Sequence, residues 1–303
     1  AIVKIRKGSV VVAVIKVTPR TDITALIASD NVTDGDVLLL EEGIYFQTVA
    51  ITKNNIRIVA KGSEVIFDGK GALLDAFVLS DVEGVMIEGI HIRHYRASGI
   101  LIESGSGHRI VNNKINNMLE HGIEVISSSG NLIWKNEINK CYDGVLLIEG
   151  STNNWVIENV ATECYGDGYE AFLAPDSNNA FISNKAIKNR NNGLEIYGTN
   201  NLLLDNLLID NGQGVIINGG SGSVAIGNII KGTKVGTYDI FDEYFNHFVA
   251  ENKIICNRTE GINSNSQFNM LLNNEISYNG DFGILLAESS VLNLVMDNKL
   301  VCN

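Results

Sequence analysis

The chain is poor in the residues that break, staple or anchor a polypeptide. Only two prolines occur in 303 residues, so little interrupts a ladder of backbone hydrogen bonds. The four cysteines, Cys141, Cys164, Cys256 and Cys302, are too few for a disulfide framework at this length. None forms a CxxC pair that would suggest zinc, and free buried thiols are the expectation. No apolar run approaches the roughly 18 residues that span a bilayer, and the stretch Ser9 to Val17 is far too short. The opening residues Ile2 to Arg6 read as a strand and not as a charged secretion leader. Basic residues are also scarce. Lys and Arg number 23 against 35 Asp and Glu, a formal charge of −12, which removes the electrostatic footprint of a nucleic-acid or anionic-lipid binder. A polyanionic ligand would need local basic residues or a bridging cation. With 45% hydrophobic and only 19% charged residues, disorder is excluded as well.

What is present is repetition. An Asn-x-(Ile/Leu/Val/Ala) unit recurs at Asn113, Asn136, Asn159, Asn184, Asn206, Asn228, Asn252, Asn274 and Asn298, in steps of 22 to 25 residues. A second series follows in phase: Gly99, Gly122, Gly144, Gly168, Gly193, Gly214, Gly261 and Gly283, each leading into an apolar or aromatic residue. Apolar residues alternate over short runs, as in Gly122-Ile123-Glu124-Val125-Ile126, which is strand and not helix periodicity. The pattern predicts an all-β, single-stranded right-handed parallel β-helix of about ten coils. Each coil of about 23 residues stacks on the next at ~4.8 Å. No coil buries its apolar face alone.

A third register lies five residues after each repeat Asn: Met118, Cys141, Cys164, Asn189, Asn211, Thr233, Asn257 and Asn279. It reads as a turn ladder whose asparagines bond one another and tolerate left-handed backbone. The sequon Asn257-Arg258-Thr259 belongs to this ladder and is not read as a glycosylation acceptor. Cys141 falls above Cys164, a juxtaposition that packing explains.

Residues 1–33 differ from residues 34–303. Ile2 to Arg6 and Val10 to Val17 read as a β-hairpin. Thr21 to Ala28, capped by Thr21 or Asp22, reads as a short amphipathic helix over the open end of the first coil. The other end stops at Val301-Cys302-Asn303, just after a repeat Asn, and an exposed final coil is an aggregation hazard. The expectation is cover from a second subunit, through this coil or the amino-terminal hairpin, or from further sequence.

From Asp34-Gly35-Asp36-Val37 to Gly43-Ile44-Tyr45 the chain resembles the opening coil of the pectate lyase-like superfamily. Its Asn/Gly coils resemble repeats of the NosD and alginate C5-epimerase type, from about residue 34 onward. The Asp-Gly-aromatic segments Tyr142-Asp143-Gly144 and Gly166-Asp167-Gly168-Tyr169-Glu170 are similar to epimerase coils, although the Tyr-Gly-x-Asp-Pro-His run of those enzymes is absent. The resemblance implies a polysaccharide partner and a secreted or cell-surface location.

Candidate chemistry follows from the stacking. Before the repeat Gly stand Ser98, His121, Asp143, Asp167, Asn192 and Gln213; two residues after it stand Leu101, Glu124, Leu146, Glu170, Glu195 and Ile216. Asp143 and Asp167, one coil apart with His121 beyond, are the acid/base candidates, since like charges ~5 Å apart push one pKa up. Such a set can remove and return a proton next to a uronate carboxylate, the step shared by lyases and epimerases. Ca²⁺ is the candidate cation that would neutralise the pair. Arg96 is the candidate carboxylate anchor, with Glu124, Glu170, Glu195 and Tyr169 as further substrate-binding residues. Against this, Asp before Gly also favours a turn, and outward glutamates also make an ordinary solvated face. His91, His94, His108 and His121 crowd into 31 residues with Arg93, Arg96 and Arg109, read as surface or turn residues, an anion site or a metal site. Thr237 to His247 replaces the usual Gly with an acidic aromatic loop, a candidate partner contact. The expected function is a lyase or C5-epimerase acting on a linear acidic polysaccharide; the alternatives are a non-catalytic glycan-binding or surface/assembly scaffold and a glycoside hydrolase.

Overall fold

The structure is a computed structural model and describes residues 2–7, 10–173, 175–234, 238–240, 245–288 and 290–303. Among them, strands β1 (Ile2–Lys7) and β2 (Val10–Val17) pair antiparallel. Residues 8 and 9, at the expected hairpin turn, lie outside the described set. β2 then pairs in parallel with β3 (Val37–Leu40), so the hairpin extends the first sheet of the solenoid. β4 (Gly43–Tyr45) opens a second sheet and β5 (Val49–Ile51) a third. Every later coil repeats this order, giving sheets of 14, 12 and 11 strands that are parallel apart from the β1–β2 pair. Eleven complete coils and two strands of a twelfth are formed, more than the ten expected. The earliest coils lack the marker Asn; Ile90, for example, stands at its position and donates its N–H to Asn113 Oδ1 at 3.0 Å.

The helix α1 (Ile23–Ala28) is shorter than the sequence suggests. Asp22 is its cap, accepting from Ala25 N at 3.0 Å, while Thr21 belongs to the preceding turn. Thr24 Oγ1 donates to Thr48 O and accepts from Ala50 N, satisfying the edge of β5. Ile23 and Ile27 complete the core at that end.

Three corners with five-residue spacing build each coil, as at Asn131, Asn136 and Cys141. Their amides form continuous ladders. Asn136 Oδ1 accepts from both N and Nδ2 of Asn113, while its own Nδ2 reaches Asn159 Oδ1 and Ile110 O, all at 2.9–3.0 Å. No donor or acceptor of that carboxamide is wasted, which makes burial tolerable. The chain of side-chain amides runs unbroken from Asn113 to Asn298. A further ladder, Asn131, Asn154, Asn179 and Asn201, occupies the corner that leads into the first sheet. The left-handed residue is not the ladder Asn but the one before it, such as Lys135 (φ 56°), Lys140 (φ 55°) and Lys188 (φ 57°). The amide itself must point inward to meet its neighbour.

The repeat glycines have a steric reason. A Cβ on Gly168 would lie 2.7 Å from Gly193 O, and one on Gly122 2.6 Å from Gly144 O, contacts closer than any side chain makes. Inside, columns of Ile, Val and Leu fill the rod, each contributing ~1.5–3 kcal/mol by burial. Tyr45 and Phe67 stack at 4.8 Å near the amino-terminal end. Cation–carboxylate pairs such as Lys114–Glu137 and Lys135–Glu158 bridge neighbouring coils on the outside.

Candidate active site

Strands Val145–Ile148, Tyr169–Phe172 and Asn192–Ile196 lie side by side in the third sheet. Their outward residues and the corners before them enclose a cleft of about 360 Å³. Leu146, Ile148, Glu170, Phe172, Glu195 and Tyr197 come from the strands; His121, Tyr142, Asp143, Asp167 and Asn191 come from the corners. The structure therefore gathers the three acid/base candidates with Glu170 and Glu195. Strand alternation explains the rest: Glu170 faces out, so Tyr169 faces in.

Tyr169 is fully buried, and its hydroxyl donates to Lys185 O at 3.1 Å. Its proposed contact with substrate is corrected accordingly. Arg96 is exposed but does not line the cleft, because it sits two coils before Tyr142 in the same corner row. Glu124 accepts from Ser98 Oγ at 2.6 Å and also stays outside the lining. The histidine cluster disperses: His91 contacts Asn116, His94 contacts Asp68, and His108 is a buried ladder member whose Nδ1 accepts from Val85 N. Burial pulls His108 down to about 4, so it is neutral. Residues 237 and 241–244 of the acidic aromatic loop lie outside the described set. Phe172, Asn191 and Ile148 were not singled out in the sequence, although Phe172 shares the outward parity of Glu170.

The carboxylates hold the site's character. Oxygens of Asp143, Asp167 and Glu170 lie within 4.8 Å of one another. Asp143 Oδ1 accepts from Asp167 N at 2.7 Å, and Asp167 Oδ1 accepts from Asn192 N at 2.6 Å. One oxygen of each Asp thus serves the fold, as the turn explanation expects, while both residues also line the cleft. Asp143 Oδ2 lies 3.1 Å from His121 Nδ1. The pair does not meet hydrogen-bond geometry, and it becomes an ion pair when His121 is protonated. Burial lowers His121, but Asp143, then Glu124 and Glu120, more than offset it and the net direction is up. Burial, then Asp143 and Glu195, push Asp167 up to about 8, against the pull of the Asn192 N–H. Burial and the neighbouring Asp167, Asp143 and Glu195 push Glu170 up to about 9. Glu195 accepts from Asn192 Nδ2 at 2.6 Å, which holds it at the far wall.

Aromatic walls flank these acids. Tyr142 is half exposed and meets His121 edge-on at 6.1 Å; Phe172 meets Tyr197 edge-on at 5.3 Å. Among the described residues no Lys or Arg lines the cleft. The free oxygens of Asp143, Asp167 and Glu170 are also the set that could hold a cation.

The arrangement is that of a parallel β-solenoid with an acidic, aromatic-walled cleft on one sheet. The chain belongs to the right-handed beta helix family, whose model matches residues 38–172 and 75–230. A second model, periplasmic copper-binding protein (NosD), matches residues 162–303. No curated protein matches the chain. Among solved structures, the GH136 lacto-N-biosidase from Eubacterium ramulus is 11% identical with a TM-score of 0.78, over 96% of this chain and 68% of that one. The periplasmic alginate epimerase AlgG is 13% identical, TM-score 0.64, over 96% and 84%. An alginate lyase from Paenibacillus sp. str. FPU-7 is 12% identical, TM-score 0.62, over 94% and 99%. These likenesses concern the fold. No helix among the described residues is long and apolar enough to cross a membrane.

Proposed function

We propose that the cleft hydrolyses a glycosidic bond, with Glu170 as general acid and Asp143 as the partner carboxylate. The observation that carries this is the set of three carboxylates within 4.8 Å, two of them raised to about 8 and 9. A proton-bearing acid beside a charged one is the pairing that glycoside cleavage needs. Asp167, between them, shares the proton. The close spacing favours retention of configuration, since inversion requires roughly 6.5–9.5 Å for a water. Tyr142, Phe172 and Tyr197 offer rings and hydroxyls to a sugar. A sugar without a charged group fits this cleft, because no cation among the described lining residues offsets a carboxylate there. A lacto-N-biosidase on a similar fold supports the reading.

A lyase or C5-epimerase is the second reading, favoured by the His121–Asp143 contact, an acid/base pair of the kind that proton transfer uses. It would need Ca²⁺ on the three carboxylates to accept a uronate. The relatives named periplasmic support a location outside the cytoplasm.

The test is incubation with neutral and uronate-containing oligosaccharides, following reducing ends, absorbance near 235 nm and C5 exchange in D₂O. New reducing ends without absorbance support hydrolysis. Absorbance identifies a lyase, and exchange without cleavage an epimerase. Binding with none of these would leave a glycan-binding scaffold.

A further inference from the structure

We infer that the cavity beside the cleft is an anion subsite, taking a sulfate or carboxylate substituent of the same glycan; the inference rests on the glycan-processing reading. This second cavity, of about 520 Å³, is lined by Arg190, Asn191, Asn192, Glu195, Gly212, Gln213, Ile216 and Lys234. It shares Asn191 and Glu195 with the cleft, so the two form one groove along the axis. Its charge is opposite in kind. Arg190 and Lys234, both exposed, provide its cations.

Those cations occupy one corner row with Tyr142 and Tyr165. The backbone N–H at each position bonds the preceding coil in the same way: Tyr165 to Cys141, Arg190 to Cys164, Gly212 to Asn189 and Lys234 to Asn211. The row is therefore aromatic beside the acids and cationic in the following coils. Gly212 separates Arg190 from Lys234, leaving a coil with no side chain between two cations spaced ~9–10 Å apart by stacking. An anion seated over Gly212 is reached from both sides.

Several cations on this acidic rod are paired, as Lys114, Lys135, Lys140, Lys253 and Lys299 are with glutamates of adjacent coils, whereas others, such as Arg96 and Arg258 of the same corner row, are not. Neither Arg190 nor Lys234 has a carboxylate within ion-pair distance among the described residues. Glu195, the one acid in the cavity, is held by Asn192 and Asn218 at the boundary with the cleft. A glycan lying along the groove would place an uncharged sugar over Glu170 and an anionic substituent one to three coils further on.

Binding tests this apart from turnover. Asp167→Asn protein, with and without Arg190→Gln and Lys234→Gln, is titrated calorimetrically at low salt with three hexasaccharides: chitin-derived, unsulfated chondroitin and chondroitin sulfate. The expected result is at least tenfold tighter binding of a charged hexasaccharide than of the neutral one, abolished by the two substitutions and weakened by salt. A preference for the sulfated form assigns sulfate; equal binding of both charged forms assigns carboxylate. The inference is overturned by equal affinity for all three, by no charged binding at millimolar concentration, or by an advantage that survives the substitutions. A Lys234→Glu variant that kept the advantage would overturn it equally. Failure of hydrolysis leaves these titrations standing, and their failure leaves the hydrolysis assay standing.

Discussion

Asp143 accepts the backbone N–H of Asp167 at 2.7 Å, so the first carboxylate of the row fixes the backbone that carries the second. Asp167 does the same for Asn192 at 2.6 Å. On the proposed reading structure and chemistry would share one residue, a different oxygen for each, so the catalytic and stability effects of substitution must be separated.

Asp143→Asn keeps one oxygen for that contact and removes the charge. Activity on a cleaved substrate is expected to fall by ~10²–10⁴, with binding retained, when kcat and Kd are measured side by side. Glu170→Gln should lose a similar factor. It should also remove the alkaline limb, since the acid is spent as pH rises through about 9.

The raised acids make stability depend on pH with a definite sign. Asp167 and Glu170 titrate near 4 in the unfolded chain and at about 8 and 9 in the folded one. Between those limits the native state binds more protons. Their contribution is full below about pH 4 and is lost as pH rises toward 9, by at most ~1.4 kcal/mol per unit for each group. Thermal unfolding should show a falling Tm from pH 5 to 9, and Asp167→Asn should flatten the slope.

Gly168→Ala would drive a methyl into Gly193 O and towards the Ala186 side chain. Loss of the cooperative transition, or a Tm lower by many degrees, is expected by circular dichroism. Asn184→Ala tests the ladder instead. It strands the N–H of Asn159 and the carbonyl of Val156, and urea unfolding should register a loss of ~2–4 kcal/mol.

Two of four cysteines should react with a thiol reagent under native conditions. Cys256 and Cys302 are exposed, whereas Cys141 and Cys164 are buried. Burial pushes Cys141 well above the ordinary range and Cys164 up to about 12. Denaturant should release the remaining two in a colorimetric count.

Chelation separates the two chemical readings. EDTA is expected to leave hydrolysis unchanged, because the acids act as proton carriers. A chelator-sensitive absorbance near 235 nm would instead place Ca²⁺ on Asp143, Asp167 and Glu170.

The fold was legible because Asn136 and Gly144 recur with their counterparts at a coil's spacing, and only stacking satisfies a buried Asn or the Gly close approach. His121, Asp143 and Asp167 were legible for the same reason: a repeat places equivalent positions together. Tyr169 was misplaced because its neighbour Glu170 takes the outward face, and parity along one strand decides between them. Arg96 was misplaced by distance along the axis, since Arg190 lies nearer the acids in the same row. The ladder containing Asn131 escaped notice because His108, Ser223 and His247 interrupt it.

The corner beneath the cleft is where the amide lacing gives way to sulfur. Cys141 Sγ donates to Asn139 O at 3.6 Å and Cys164 Sγ to Thr162 O at 3.8 Å, so each thiol bonds within its own coil where a ladder carboxamide elsewhere bonds the next. S–H···O contacts are weaker than amide bonds. A rod laced along three edges resists bending, and a weakened stretch of one edge concentrates what bending remains. At the coils of Tyr142 and Tyr165 one of the three edges therefore loses its side-chain lacing between coils, and stiffness there rests on the backbone ladders and the other two edges.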